Sequence, residues 1–593
     1  MKLSPRTLIA TGVAAALLCG MPPPAGAQQR GPKLDRVLQN AHGGHRQRVI
    51  IRFRSGADSS VEQRVLSLKE SRILSRHRSI GAFTAELRGE QLAELARDPD
   101  VESIGVDADV AADASYANDT SISSNVLRNT LGEGDGSKGA GIGVALIDSG
   151  IAPLPAFSGR ITAFYDVTSG VPIPTLPNDE YGHGTHVAGL IGSSDSTYMG
   201  VAPSVTFVGL KVLNKNGRGL TSSVIAALDF AVANRQRFKI QVVNLSLGHP
   251  ILSPAANDPL VQAVESAVRA GLIVVVSAGN VGVNPDTGQI GYAGVTSPGN
   301  APSAITVGAV NTQGTATHAD DIVAPYSSRG PTWYDGYVKP DVVAPGHSLL
   351  SVMDVNSYLF KQYPNYDVKV NNRWYMRLSG TSMATAVTTG VVAAALEAHN
   401  WATAYYTVTP GPVTANGMKA ILQYTALPLR GANGTMLDAL TQGTGELNAE
   451  GSVRLAWLAV AMWANPSIAT QYPQVLTTST TIANERLDWA ARIIWGQQSV
   501  SGPALAVSGT NWATNILWGE NIIWGENIVW GENIIWGENI IWGENIIWGE
   551  NIVWGENIIW GENLVWGENI IWGESLVDVD ANSKLSGLSN SSW

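Results

Sequence analysis

The chain has 593 residues, of which 45% are hydrophobic and 15% charged, against about 25% charged in an average soluble domain, so it carries a large core and more than one module. Its single cysteine, Cys19, excludes a disulfide framework, a cysteine-rich zinc site and cysteine catalysis. The net charge of −11 excludes general nucleic-acid binding, and ten glutamates lie in 515–574 with no lysine or arginine, so the rest of the chain is close to neutral.

The first 27 residues read as an export signal. Lys2 and Arg6 give a positive start, Leu8–Leu18 an apolar run, and Ala25-Gly26-Ala27 a small-residue cleavage site. The run is too short to span a bilayer, so no transmembrane segment is expected once the signal is removed. Leu18 stands before Cys19 where a lipoprotein signal needs a small residue. Cleavage after Ala27 leaves a cysteine-free protein, expected to be secreted to the exterior or cell surface, with the periplasm as a further compartment.

Residues 46–112 form a block with its own pattern. Arg48–Arg54 alternates like a strand, Ser59–Arg76 has helical periodicity, Ser79–Leu87 is a second strand, Gly89–Ala96 a short helix and Val101–Val110 a last strand. A small α+β unit of ferredoxin-like type suits that order. Ala111–Ser123 is small and polar, as an exposed linker is.

From 124 to 458 strands alternate with helices. Gly141–Ile147, Val205–Val212, Gln241–Leu245 and Leu272–Ser277 are near-continuous apolar runs, the mark of parallel strands buried on both faces. Helical stretches at His186–Ile191, Ser222–Asn234 and Pro259–Ala270 lie between them. The expected fold is α/β with a doubly wound, mostly parallel sheet, and its site belongs at the carboxyl ends of the strands.

Four motifs fall at strand ends or helix starts. Asp148 follows the run GVALI, His183 opens His183-Gly184-Thr185-His186, Asn280 ends a run through Ser277-Ala278-Gly279, and Ser382 lies in Ser379-Gly380-Thr381-Ser382-Met383-Ala384 ahead of an Ala/Val-rich helix. Each has an ordinary reading as a turn, loop cap or helix N-cap. Together, in the order aspartate, histidine, serine, they resemble the subtilisin-like serine proteases, for which that order is known. Gly200-Val201-Ala202-Pro203, Asn244-Leu245-Ser246-Leu247-Gly248, Ser327–Pro331, Lys339–Gly346 and Gly443–Ala449 are similar to that family's motifs too, and the resemblance runs from about Val126 to Leu458.

The resemblance implies the roles. Ser382 is the nucleophile, His183 its general base, and Asp148 the partner that fixes the imidazole tautomer. Asn280 donates its amide N–H to the oxyanion. Gly217-Arg218-Gly219 and Ser246-Leu247-Gly248 flank an extended substrate strand, whose main-chain pairing favours broad specificity. A pocket near Ala278, Gly279 and Asn280 supplies selectivity. Substrates are proteins or peptides, and the 46–112 block is an inhibitory prodomain that is cut away by the enzyme itself, with Tyr116 as the candidate residue before the cut. No cofactor is required for the chemistry; calcium commonly stabilises the family, and no ligands are assigned to it here. Two departures stand out. Ala386 and Val387 replace the family's Pro-His, which alters the helix that aims Ser382 without removing a proton-handling group. The stretch Tyr358–Trp374 is an aromatic, polar insertion expected to form a loop that restricts access to the site.

Residues 459–514 read as a connector with some packed structure, 515–574 as ten hexapeptides of the form Asn-Ile-Ile/Val-Trp-Gly-Glu, and 575–593 as a polar tail. A glycine every six residues disfavours a helix, and an even period suits β-structure, as a solenoid with stacked ladders or a meander with Gly-Glu turns; the near-identity of the units favours the solenoid. The repeat can bind a surface or partner. The leading reading is a secreted serine endopeptidase; the rival is a binding protein whose repeat is the working part and whose protease domain only processes its own precursor.

Overall fold

The computed structural model describes residues 33–501, except 41–44, 113–123, 133–135, 285–286, 409–412, 466–476 and 497, together with 577–578. The export segment, Tyr116, the hexapeptide repeat and most of the tail lie outside the described residues.

The N-terminal block is a four-stranded antiparallel sheet in the order Arg72–His77, Ala82–Arg88, Arg46–Phe53, Val101–Val106. Helices Asp58–Ser67 and Gly89–Leu95 bury Val61, Val65, Leu92 and Leu95 against Val49, Ile51, Phe83 and Ile104. The helix expected over Ser59–Arg76 stops at Ser67. Glu70 takes a positive φ of 61° and turns the chain, and Arg72–His77 becomes an edge strand whose Arg72 and Arg76 pair with Glu86 and Glu62.

The central sheet runs, edge to edge, Ile322–Val323, Ile305–Asn311, Ile273–Ser277, Ile240–Leu245, Gly143–Asp148, Thr206–Lys211, Ile161–Asp166, Ile173–Pro174, and Val342–Pro345 also pairs with Ile305–Asn311. Only the pairs made by Ile322–Val323 and Ile173–Pro174 are antiparallel. Alternate residues feed two cores: Val144, Leu146, Val242 and Val275 face one, and Ala145, Ile147, Val243 and Val276 the other. That two-sided burial is why the strands are apolar throughout. Helices Thr221–Asn234 and Pro259–Arg269 cover one face, with the N-terminal block beyond them. Helices His183–Gly192, Thr381–Tyr406, Ala415–Thr425 and Ala449–Ala464 cover the other. Thr381–Tyr406 is long and apolar enough to cross a bilayer, yet 94% of its most apolar window is buried inside the fold. It is a core helix.

Packing continues past residue 458. Hairpins Ser479–Ile482/Glu485–Asp488 and Arg492–Trp495/Gln498–Ser501 follow, and Ile482, Trp489, Ile493 and Trp495 join the same core as Thr381–Tyr406. Gln423 bonds the backbone of Ile494 both ways, at 2.9 and 3.2 Å. The packed unit therefore extends into the segment expected to be a connector.

The insertion is a built substructure rather than a plain loop. Helix Tyr358–Gln362 leads to strands Asp367–Val370 and Arg373–Leu378, which pair with each other, and the latter also pairs with Leu349–Val352.

Candidate active site

Three neighbouring strands deliver the site. Asp148 ends Gly143–Asp148, Ser246 follows Ile240–Leu245, and Asn280 lies just beyond Ile273–Ser277. All three stand at carboxyl ends, where the helices on the opposite side can point their N-termini.

His183 is the first residue of its helix and, like Asp148, fully buried. Its Nδ1 lies 2.8 Å from Oδ1 and 3.0 Å from Oδ2 of Asp148. A carboxylate only accepts, so Nδ1 carries the proton and Nε2 is left as the basic nitrogen. The two elements meet this closely because residue 184 has no side chain: a Cβ there would sit 2.2 Å from the carbonyl of Gly150.

Asp179, which the motif reading missed, clamps the same junction. Its Oδ1 accepts from Ser149 Oγ at 2.9 Å and the Gly182 N–H at 2.8 Å, and its Oδ2 accepts from the Thr185 N–H at 2.8 Å and Oγ1 at 2.6 Å. Ser149 Oγ in turn accepts from the Gly184 N–H at 2.9 Å. The signal was an aspartate four residues ahead of His183, near the start of a helix with no acidic residue of its own in the first turn.

The second histidine of the motif serves packing. His186 Nε2 lies 3.0 Å from the Met376 carbonyl and 3.2 Å from that of Leu349, and burial pushes its imidazole down to about 3. It stays neutral and ties the insertion's sheet to the helix.

Ser382 is the second residue of Thr381–Tyr406, where N–H groups point outward and the helix dipole favours negative charge. Its Oγ donates to the Ser246 carbonyl at 3.1 Å, and Ser246 Oγ donates back to the Ser382 carbonyl at 3.1 Å. The helix runs unbroken through Ala386 and Val387, both buried, and Thr385 and Thr388 bond back to the carbonyls of Thr381 and Ala384.

Asn280 is held by Thr381, whose N–H and Oγ1 reach Oδ1 at 3.0 and 3.1 Å. Its Nδ2 is buried and has no hydrogen-bond partner among the described residues. Gly279 donates to Thr381 Oγ1 at 3.2 Å, and Ala278 donates to the Val307 carbonyl at 3.0 Å, so this strand end is fixed on both sides.

Beside these groups runs a groove that already holds a strand. Asp109–Ala112 lies between Arg218–Leu220 and Leu247–Gly248, antiparallel to both, with Ala111 opposite Arg218 and Gly248, and Ala112 opposite Leu247. Gly217 accepts the Ala112 N–H at 3.3 Å, and a Cβ at 217 would meet the Tyr181 ring at 2.4 Å. Tyr181 stacks on Tyr358 of the insertion, with ring centroids 5.9 Å apart.

Residues 139–452 match the subtilase family model, which is more than half of the chain. The chain belongs to the subtilase family. It is a subtilisin-like serine endopeptidase. It is 36% identical over 363 residues to serine protease AprX of Bacillus subtilis, covering 59% of this chain and 78% of that one. It is 34% identical over 436 residues to the extracellular serine proteinase of a Thermus species, covering 68% and 90%. Fervidolysin from Fervidobacterium pennivorans, a keratinolytic enzyme related to subtilisin, shares the fold with a TM-score of 0.53 at 20% identity, covering 69% of this subtilase and 61% of fervidolysin.

Proposed function

We propose that this subtilase is an exported, broad-specificity endopeptidase made as a zymogen that processes itself. Ser382 attacks the scissile carbonyl, His183 takes its proton through Nε2 and returns it to the leaving amine, and Asp148 holds the tautomer and stabilises the imidazolium. Nδ2 of Asn280 and the N–H groups at the start of Thr381–Tyr406 receive the oxyanion. The 46–112 block is the prodomain, ferredoxin-like in its strand order, and the strand Asp109–Ala112 occupies the groove as a product would.

One observation carries the reading: the imidazole of His183 is held by both oxygens of Asp148 beside a groove in which a strand of the same chain is paired on both edges. Pairing of that kind reads backbone rather than side chains, which supports broad specificity. The N-terminal signal and the similarity to the extracellular serine proteinase of a Thermus species support export.

Replacing Ser382 by alanine tests it. Casein hydrolysis should vanish and unprocessed precursor accumulate, while sequencing of the wild-type amino terminus should place the cut beyond Ala112. A wild type that cuts itself but no added protein would instead favour the repeat as the working part. Deleting 515–593 should leave peptidase activity intact.

A further inference from the structure

Away from the active site, His318, Asp321 and Glu446 bring three ligand atoms within 4.8 Å of one another. Their side chains are 5%, 0% and 1% exposed. Nε2 of His318 lies 2.9 Å from the Thr130 carbonyl, an acceptor only, so that nitrogen carries its proton. Nδ1 then faces two carboxylates, Asp321 Oδ2 at 2.9 Å and Glu446 Oε2 at 3.2 Å.

A proton on Nδ1 does not satisfy this arrangement. The hydrogen-bond geometry gives that proton to Glu446, and among the described residues both oxygens of Asp321 and Oε1 of Glu446 are left buried with no hydrogen bond. A buried carboxylate without a partner is strongly disfavoured. Glu485 adds a further carboxylate, accepting the His318 N–H at 3.2 Å. The cluster is short of positive charge.

We infer that Nδ1 of His318, Asp321 and Glu446 bind one divalent first-row transition ion, with Zn2+ the best match to an imidazole and two carboxylates. Ligands about 2.0–2.2 Å from a shared tetrahedral ion lie about 3.3–3.6 Å apart, so the 2.9 and 3.2 Å separations would open by a few tenths of an ångström to admit it. An Nε2–H donated to a backbone carbonyl is the outer contact that fixes a metal-bound histidine. Calcium, which takes six to eight oxygens, does not fit this donor set. The ion would tie the segment ending at Thr130, the loop at 318–321, the strand position of Glu446 and the hairpin carrying Glu485, in a chain with no cysteine beyond Cys19. Its role is stability, not chemistry.

The full chain carrying Ser382→Ala is stripped with a chelator and dialysed against Zn2+, with and without Asp321→Asn or Glu446→Gln. Metal analysis should find one equivalent more in the parent than in either variant, and Zn2+ should raise Tm by about 3–6 °C in the parent alone. Two variants, each checked for cooperative unfolding in the absence of metal, separate a lost site from a lost fold. Equal Zn2+ content in parent and folded variants, or an equal shift on adding Ca2+, overturns the assignment. The Ser382→Ala background makes the readout independent of the peptidase reading.

Discussion

Asn280 and Thr381 are locked together through one carboxamide oxygen, which receives the N–H of Thr381 at 3.0 Å and its hydroxyl at 3.1 Å, leaving Nδ2 of Asn280 as a buried donor with no partner among the described residues. A site that keeps such a donor idle in the ground state is arranged for charge that appears later. Asn280→Ala should lower kcat by about 10²–10³-fold with KM little changed, a magnitude borrowed from subtilisin, a member of this same family. Thr381→Val keeps the backbone bond and loses the hydroxyl. As a positioning residue it should cost about tenfold in kcat, one neutral hydrogen bond's worth, with KM and Tm nearly unchanged and Thr381→Ser restoring the rate. A Tm drop without a kcat effect would make Thr381 merely structural.

The strands, and the placing of Asp148, His183 and Ser382 at a strand end and two helix starts, were legible because they are local: an apolar run ending in Asp148, or a Gly-Thr-Ser ahead of a long Ala/Val helix, states its own position. The clamp at Asp179 was not legible, since its four bonds reach Ser149, Gly182 and Thr185 and exist only once the strand end and helix start have met. The helix expected over Ser59–Arg76 failed for the opposite reason. Its charged residues fit either period, and the turn at Glu70 is set by pairing with Ala82–Arg88 rather than by propensity. The extent of packing beyond 458 was not legible because Trp489 and Trp495 are buried by docking on Ala415–Thr425 and its surroundings, which no local pattern states.

The contact between the His183 helix and the Asp148 turn depends on an absent side chain. Gly184→Ala would place a Cβ 2.2 Å from the Gly150 carbonyl and 3.2 Å from the Asp148 Cβ, and backbone on both sides leaves no flexible group to yield. The helix start must back away, and the paired bonds of 2.8 and 3.0 Å open. Displacement of about 1 Å at such a site can lose 10²-fold in rate. We expect at least that loss in kcat/KM on a small peptide ester, with about 1–3 kcal/mol of destabilisation by denaturant. Near-wild-type activity in this variant would refute the close junction.

Stability should fall on mild acidification for a reason separate from the carboxylates. Burial pushes His186 down to about 3 and His77 down to about 4, well below the roughly 6.5 of an unfolded imidazole. The unfolded chain therefore binds these protons first, so the stability they contribute is complete above pH 6.5 and declines as pH falls toward the folded values. Between pH 6 and 5 each should lower the unfolding free energy by up to about 1.4 kcal/mol per pH unit. Denaturant titration of the Ser382→Ala chain checks this, and His77→Gln should flatten the slope by about one proton. An unchanged slope in that variant would place the titrating groups elsewhere.

The proposed prodomain grips the enzyme through a helix start. Asp107, buried, accepts the Ser222 N–H at 2.7 Å and Oγ at 2.8 Å at the head of Thr221–Asn234, and Arg48 Nε lies 2.6 Å from its Oδ2. Residue 108 adds a carbonyl to the Thr221 N–H at 3.0 Å, so the chain enters the groove directly from this cap. A carboxylate in that place neutralises the helix dipole as a conventional N-cap does, and its loss is worth about 1–2 kcal/mol. Asp107→Ala should therefore loosen the precursor by roughly 5–30-fold, seen as earlier release of caseinolytic activity after refolding. Asp107→Asn keeps an acceptor oxygen and should lie between. Since the proposed processing removes the block, kcat/KM of purified mature protein should equal wild type in both variants. A changed mature enzyme, or an unchanged time course, would mean that the grip on the helix is not what delays release.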